Sequence, residues 1–146
     1  MLGKTLRRVG LVLLVLVVAR VIIGLFVPAL NINDVTTGAT PEYPDLQPQR
    51  FAASGPQVFD AASAVAHAQG WEVTQEDKAT GVIQAVATTR LMRFKDDVTI
   101  TVAPDGDQTK VIVRSHSRIG KGDLGANAKR IRIFQTDLAT RMSMKS

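Results

Sequence analysis

The chain has no cysteine, which excludes a disulfide framework, a thiolate-ligated zinc site and thiol catalysis together. Aromatic residues are also scarce, at 5% of the chain. Trp71 and Phe94 are too isolated to build a platform for stacking nucleic-acid bases. The two histidines, His67 and His116, lie too far apart for a local metal-binding motif, and no metal or cofactor is expected. Negative charge is in slight deficit, with 18 basic against 13 acidic residues and a net charge of +5. Most of that excess is local. Residues 1–30 hold Lys4, Arg7, Arg8 and Arg20 and no acid, which leaves 14 basic against 13 acidic side chains beyond them. A basic leader on a nearly neutral remainder does not describe a nucleic-acid binder. At 146 residues, an enzyme built from two lobes is not expected either.

The sequence does contain a long apolar run. Val9 to Leu30 reads VGLVLLVLVVARVIIGLFVPAL, with Arg20 as its one charge. A hydrocarbon core about 30 Å thick needs roughly 20 apolar residues as helix. The run is therefore expected to be a transmembrane anchor over residues 1–30, flanked by Lys4, Arg7 and Arg8 on the cytoplasmic side. This places the chain in a bacterial inner membrane as a single-pass protein with a periplasmic domain. A cleaved signal ending near Val27-Pro28-Ala29 is the competing reading. A guanidinium within the span costs roughly 2.5–3.5 kcal/mol on insertion scales. Arg20, with Gly24 one turn on, is thus either tolerated or meets a partner helix.

Beyond the run, residues 31–50 carry Pro41, Pro44 and Pro48, which disfavour helix and suit an extended strap or linker. Residues 51–146 read as an α+β domain. Ser54, Pro56 and Gly70 punctuate a helix, with Phe59, Ala62, Val65 and Ala66 on one face. Four strands follow as two hairpins. Trp71–Glu76 returns through Val82–Thr89, and Val98–Val102 returns through Thr109–Arg118 after Pro104-Asp105-Gly106-Asp107. A helix from about Asp123 to Met142 closes the chain, its stripe formed by Leu124, Ile131, Phe134 and Leu138. The expected fold is a two-layer domain, an antiparallel four-stranded sheet with two helices in the order α-β-β-β-β-α, preceded by the transmembrane helix.

Catalytic patterns dissolve on inspection. Gly120-Lys121-Gly122-Asp123-Leu124-Gly125 is a literal GxGxxG, but the chain ends at Ser146 with no further strand for a dinucleotide fold. The same loop remains a candidate anion site. Amides at the start of the last helix, beside Arg118 and Lys121, suit a phosphate or carboxylate, unless Asp123 caps them and Asn127 ties the loop to backbone. Asp96 and Asp97 are adjacent in a strand, so they point to opposite faces and do not converge. The same alternation separates His116 from Ser115 and Ser117. Charge is lopsided, at −6 over residues 31–108 and +7 over residues 109–146. That either favours an anionic surface or cancels on folding.

Three segments nevertheless resemble a known family. They are Asn33-Asp34-Val35-Thr36-Thr37 with Pro41-Glu42-Tyr43-Pro44; Ile83, Ala85 and Thr88 with Arg93-Phe94-Lys95-Asp96-Asp97-Val98; and Arg114 through Asn127 with Arg130-Ile131-Arg132. Together they look like domain of unknown function 1499, a bacterial and plastid family, over residues 33–138. The resemblance implies no activity. It groups Asp34, Asp96, Asp97, Arg114, Arg118, Asp123, Asn127 and Arg130, either as a site or as a network that locks the strap to the sheet and last helix. Two functions are expected in consequence. One is a non-catalytic accessory or scaffold protein docked on a larger membrane complex, in contact with the lipid bilayer. The other is a binding module for an anionic small molecule or lipid, using Arg118, Lys121, Asp123, Asn127 and Arg130 with Asp34 and Asp97.

Overall fold

The computed structural model describes residues 10–20, 22–23 and 31–144. Its strands are β1 (Asp34–Thr36), β2 (Gln49–Phe51), β3 (Glu72–Asp77), β4 (Val82–Thr88), β5 (Lys95–Asp105) and β6 (Gln108–Ser117). Helix α1 (Gly55–Ala68) lies between β2 and β3, and α2 (Ala126–Ser143) follows β6. All pairings are antiparallel in the order β1-β6-β5-β4-β3. β2 shares the outer edge of β6 with β1, the two lying end to end.

Two expectations are corrected. The sheet has six strands, not four, because the strap contributes β1 and β2. Each is three residues long, too short for alternation to declare itself in sequence. The strap is anchored by apolar side chains too, with Val35 and Leu46 fully buried. The second correction concerns the N-terminal run. Residues 10–20 and 22–23 are helical. Among the described residues no helix is long and apolar enough to cross a membrane. This overturns the transmembrane helix, the single-pass inner-membrane placement and the periplasmic assignment of the domain. Arg20 is exposed. Gly24 and the Val27-Pro28-Ala29 segment lie outside the described residues.

Local chemistry explains the remaining elements. The Ser54 amide donates to Gln57 Oε1 at 3.1 Å and Pro56 occupies the first turn, which starts α1. Gly70, at φ +74°, ends it while Trp71 N donates to Ala66 O. Gly81 is required by space as well as conformation. At φ +73°, a Cβ there would lie 2.1 Å from the Val102 carbonyl oxygen. On β5 the residues Asp96, Val98, Ile100 and Val102 are buried beneath the helices, as are Val111, Val113, Ser115 and Ser117 on β6. Both helices cover this one face, where Trp71 stacks on Phe134 with centroids 5.6 Å apart. The other face carries Asp97, Thr99 and Thr101 beside Arg114 and His116.

Candidate functional site

Seven of the eight polar residues grouped by the sequence separate into two sets on opposite faces of the sheet, and Asp123 stands apart in the loop before α2. Alternation along β5 and β6 is the cause, since neighbouring positions must diverge.

Beneath the helices lies a buried network. The Arg130 side chain is 11% exposed and reaches Asp96, whose side chain is 2% exposed, at 2.6 Å. The same guanidinium donates to Ser115 Oγ at 2.8 Å and to Asn127 Oδ1 at 2.7 Å. Ser115 Oγ also donates to Asn127 Oδ1, while Asn127 Nδ2 donates to Ser117 Oγ and to the Asn33 carbonyl. Asn127 is fully buried, and its side chain is satisfied by these bonds. The network therefore joins β5, β6, α2 and the strap at one point. Asn33 adds a second tie from its side chain to the Gly120 carbonyl.

On the open face two bidentate pairs run across strands. Arg114 holds the two oxygens of Asp34 at 2.9 and 2.5 Å, and Arg118 holds Asp97 Oδ1 at 2.6 Å through Nη2 and Oδ2 at 3.1 Å through Nε. The hydrogen bond from Arg114 holds the Asp34 carboxyl below the ordinary carboxylate value, and Arg118 does the same for Asp97. Both guanidinium groups are shifted up in return. His116 pairs in register with Asp34 on one side and Asp97 on the other.

The Arg118–Asn127 loop has partners within the chain. Asp123 accepts from the Gly125 amide at 2.8 Å and from the Asn127 amide at 2.7 Å, one through each carboxylate oxygen. It thereby fills the start of α2, whose preceding Gly125 has φ +79°. Leu124, expected on the helix stripe, instead stands in the loop at φ +54° and is 73% exposed. Lys121 is exposed.

A third feature had no sequence signal. Gln69, Trp71, Thr88, Thr89, Arg90, Ala126, Lys129, Arg130 and Ile133 line an open groove of about 390 Å³ between the end of β4 and the first turns of α2. Three of these residues are cationic and none is acidic. Arg130 is neutralised by Asp96 behind it, whereas neither Arg90 nor Lys129 has an ion-pair partner among the described residues. Trp71 and Ile133 add apolar surface. Residues so distant in sequence meet only because α2 lies across the sheet, so no spacing rule could have found them. Among the described residues no group of His, Asp and Glu is arranged to hold a metal ion.

No curated protein matches the chain. A solved structure, the crystal structure of TTHA0849 from Thermus thermophilus, is 12% identical with a TM-score of 0.41, covering 77% of this chain and 99% of that one. The three segments whose residues build the two polar clusters all fall within a family match over residues 28–138, and the chain belongs to that family, described as protein of unknown function (DUF1499).

Proposed function

We propose that this domain is a binding module for an anionic ligand, taken in the groove between β4 and α2. The observation that carries the reading is a concave site lined by three basic residues and no acid; two of the three, Arg90 and Lys129, form no ion pair among the described residues. Among the described residues Arg90 and Lys129 have no opposing charge to give up, so an arriving carboxylate or phosphate gains attraction without breaking an ion pair there. Arg130 is held rigid by Ser115, Asn127 and Asp96, and presents a fixed positive edge to the same space. The alternative anion site, the Arg118–Asn127 loop, offers less, because its guanidinium serves Asp97 and its amides serve Asp123.

Trp71 makes the test direct, since it is the single tryptophan of the chain and lines the groove. Titration with inorganic phosphate and with octanoate should change its emission saturably. Arg90→Gln/Lys129→Gln should abolish the change, and Arg118→Gln should leave it intact. Loss in Arg118→Gln with retention in the groove variant would transfer the site to the loop. Docking of the domain on a larger complex is a second reading, favoured by the helix-free face of the sheet. Native pull-down that returns the monomer alone counts against it.

A further inference from the structure

Seven large apolar side chains are exposed among the described residues from 31 onward, and five of them crowd one end of the sheet. Leu91 (91% exposed), Met92 and Phe94 stand in the β4–β5 loop, and Ile119 and Leu124 stand in the β6–α2 loop. The two loops are neighbours, because Thr88 pairs with Lys95 at the base of the first and Arg118 N donates to Lys95 O at the base of the second. The strap enters at this same end, where the Asp123 amide donates to Ile32 O.

These apolar tips are presented by shaped loops. Thr89 closes the first loop, accepting from the Phe94 amide through Oγ1 and from the Arg93 amide through its carbonyl. Among the described residues, Arg93 and Leu124 are the two non-glycine residues with positive φ, one in each loop. Such conformations persist only where surrounding bonds hold them. Interleaved with the tips are Arg90, Arg93 and Lys121, which form no ion pair among the described residues. The nearby acids are engaged, Asp97 by Arg118 and Asp123 by helix amides. The opposite end differs in kind. Its turns carry Asp77, Asp105 and Asp107 and no exposed large apolar side chain.

We propose that this end docks on an anionic lipid surface, with Leu91, Met92, Phe94, Ile119 and Leu124 entering the headgroup–acyl boundary and Arg93 and Lys121 meeting the headgroups. Apolar tips projecting from two loops, interleaved with cations that form no ion pair among the described residues, match a bilayer interface better than the contiguous flat core of a protein contact. The proposal stands apart from the groove reading: Arg90 adjoins both, but the tips, Arg93 and Lys121 do not line the groove, and the readout differs.

The absence of cysteine supplies the experiment. Leu91→Cys in the full chain takes one environment-sensitive fluorophore, and Asp107→Cys places the same fluorophore at the far end. With phosphatidylcholine vesicles containing phosphatidylglycerol, the probe at position 91 should shift to the blue and the probe at 107 should not. Arg93→Gln/Lys121→Gln should weaken partitioning about 25-fold, at about fivefold per cation near an anionic surface. No shift at 91, equal shifts at 91 and 107, or binding indifferent to phosphatidylglycerol would each overturn the proposal. So would a shift at 91 that follows protein concentration without vesicles, because the occupant would then be a second copy. Neither substituted cation lines the groove, so loss of the Trp71 response to phosphate and loss of vesicle docking are separable failures.

Discussion

Replacing Arg130 by methionine is the sharpest probe of the buried network. The substitution keeps most of the side chain's length and removes its charge. Asp96, with its side chain 2% exposed, then has a carboxylate without its counter-ion. Ser115 and Asn127 lose one donor each but keep their bond to one another, so the stranded charge dominates the cost. Breaking a buried pair from one side costs about 3–5 kcal/mol. Domains of this size have a total stability of roughly 5–15 kcal/mol, so the loss is a large share. With a urea slope of about 1.5 kcal/mol per molar, the midpoint should fall by about 2–3 M. The double variant Asp96→Ala/Arg130→Met removes the stranded charge and should be more stable than Arg130→Met alone. Urea denaturation of the two single variants and the double variant closes the cycle. A double variant as unstable as the sum of its singles would refute the view that charge burial binds Asp96 to Arg130.

Three further outcomes follow from the same geometry. Because Arg114 and Arg118 depress the carboxyls they hold, Asp34 and Asp97 stabilise the fold above the ordinary carboxylate value of 3.8, and that contribution is lost as pH falls through their lower folded values. Asp34→Asn/Asp97→Asn should therefore be less stable than the wild type near neutrality and converge with it in acid, a difference that thermal melts across pH would read and that high salt should shrink. Gly81→Ala forces a Cβ against the Val102 carbonyl in a left-handed conformation and should cost about 2–4 kcal/mol in chemical denaturation, whereas Gly106→Ala, which meets nothing within 4 Å, should cost only the conformational share of about 1–2 kcal/mol. Asn127→Ala removes the bond to the Asn33 carbonyl, so hydrogen exchange should accelerate at Ser117 and along β1 before it does in β4; uniform protection across the sheet would contradict the strap-locking role.

What could be read in sequence was what local periodicity encodes. Alternation over two residues marks β3 to β6 and separates Asp96 from Asp97, but a bulge between Val73 and Gln75 breaks the faces expected along β3. Serine, proline and glycine at α1 mark its ends through backbone geometry alone. The family resemblance drew attention to Asp34, Asp96, Asp97, Arg114, Arg118, Asp123, Asn127 and Arg130, but it did not pair them. Partner choice depends on register and on how α2 crosses the sheet. Arg118 meets Asp97 because β5 and β6 pair at that register, and Arg130 reaches Asp96 because α2 carries it over the buried face. Three-residue β1 and β2 exist only because β6 offers them an edge. The apolar leader shows the limit most plainly, since its hydropathy suggests a span, whereas among the described residues no helix is long and apolar enough to cross a membrane. The cationic groove and the loop-borne apolar tips belong wholly to tertiary structure, where chain segments with no local relation are brought to one end of a sheet.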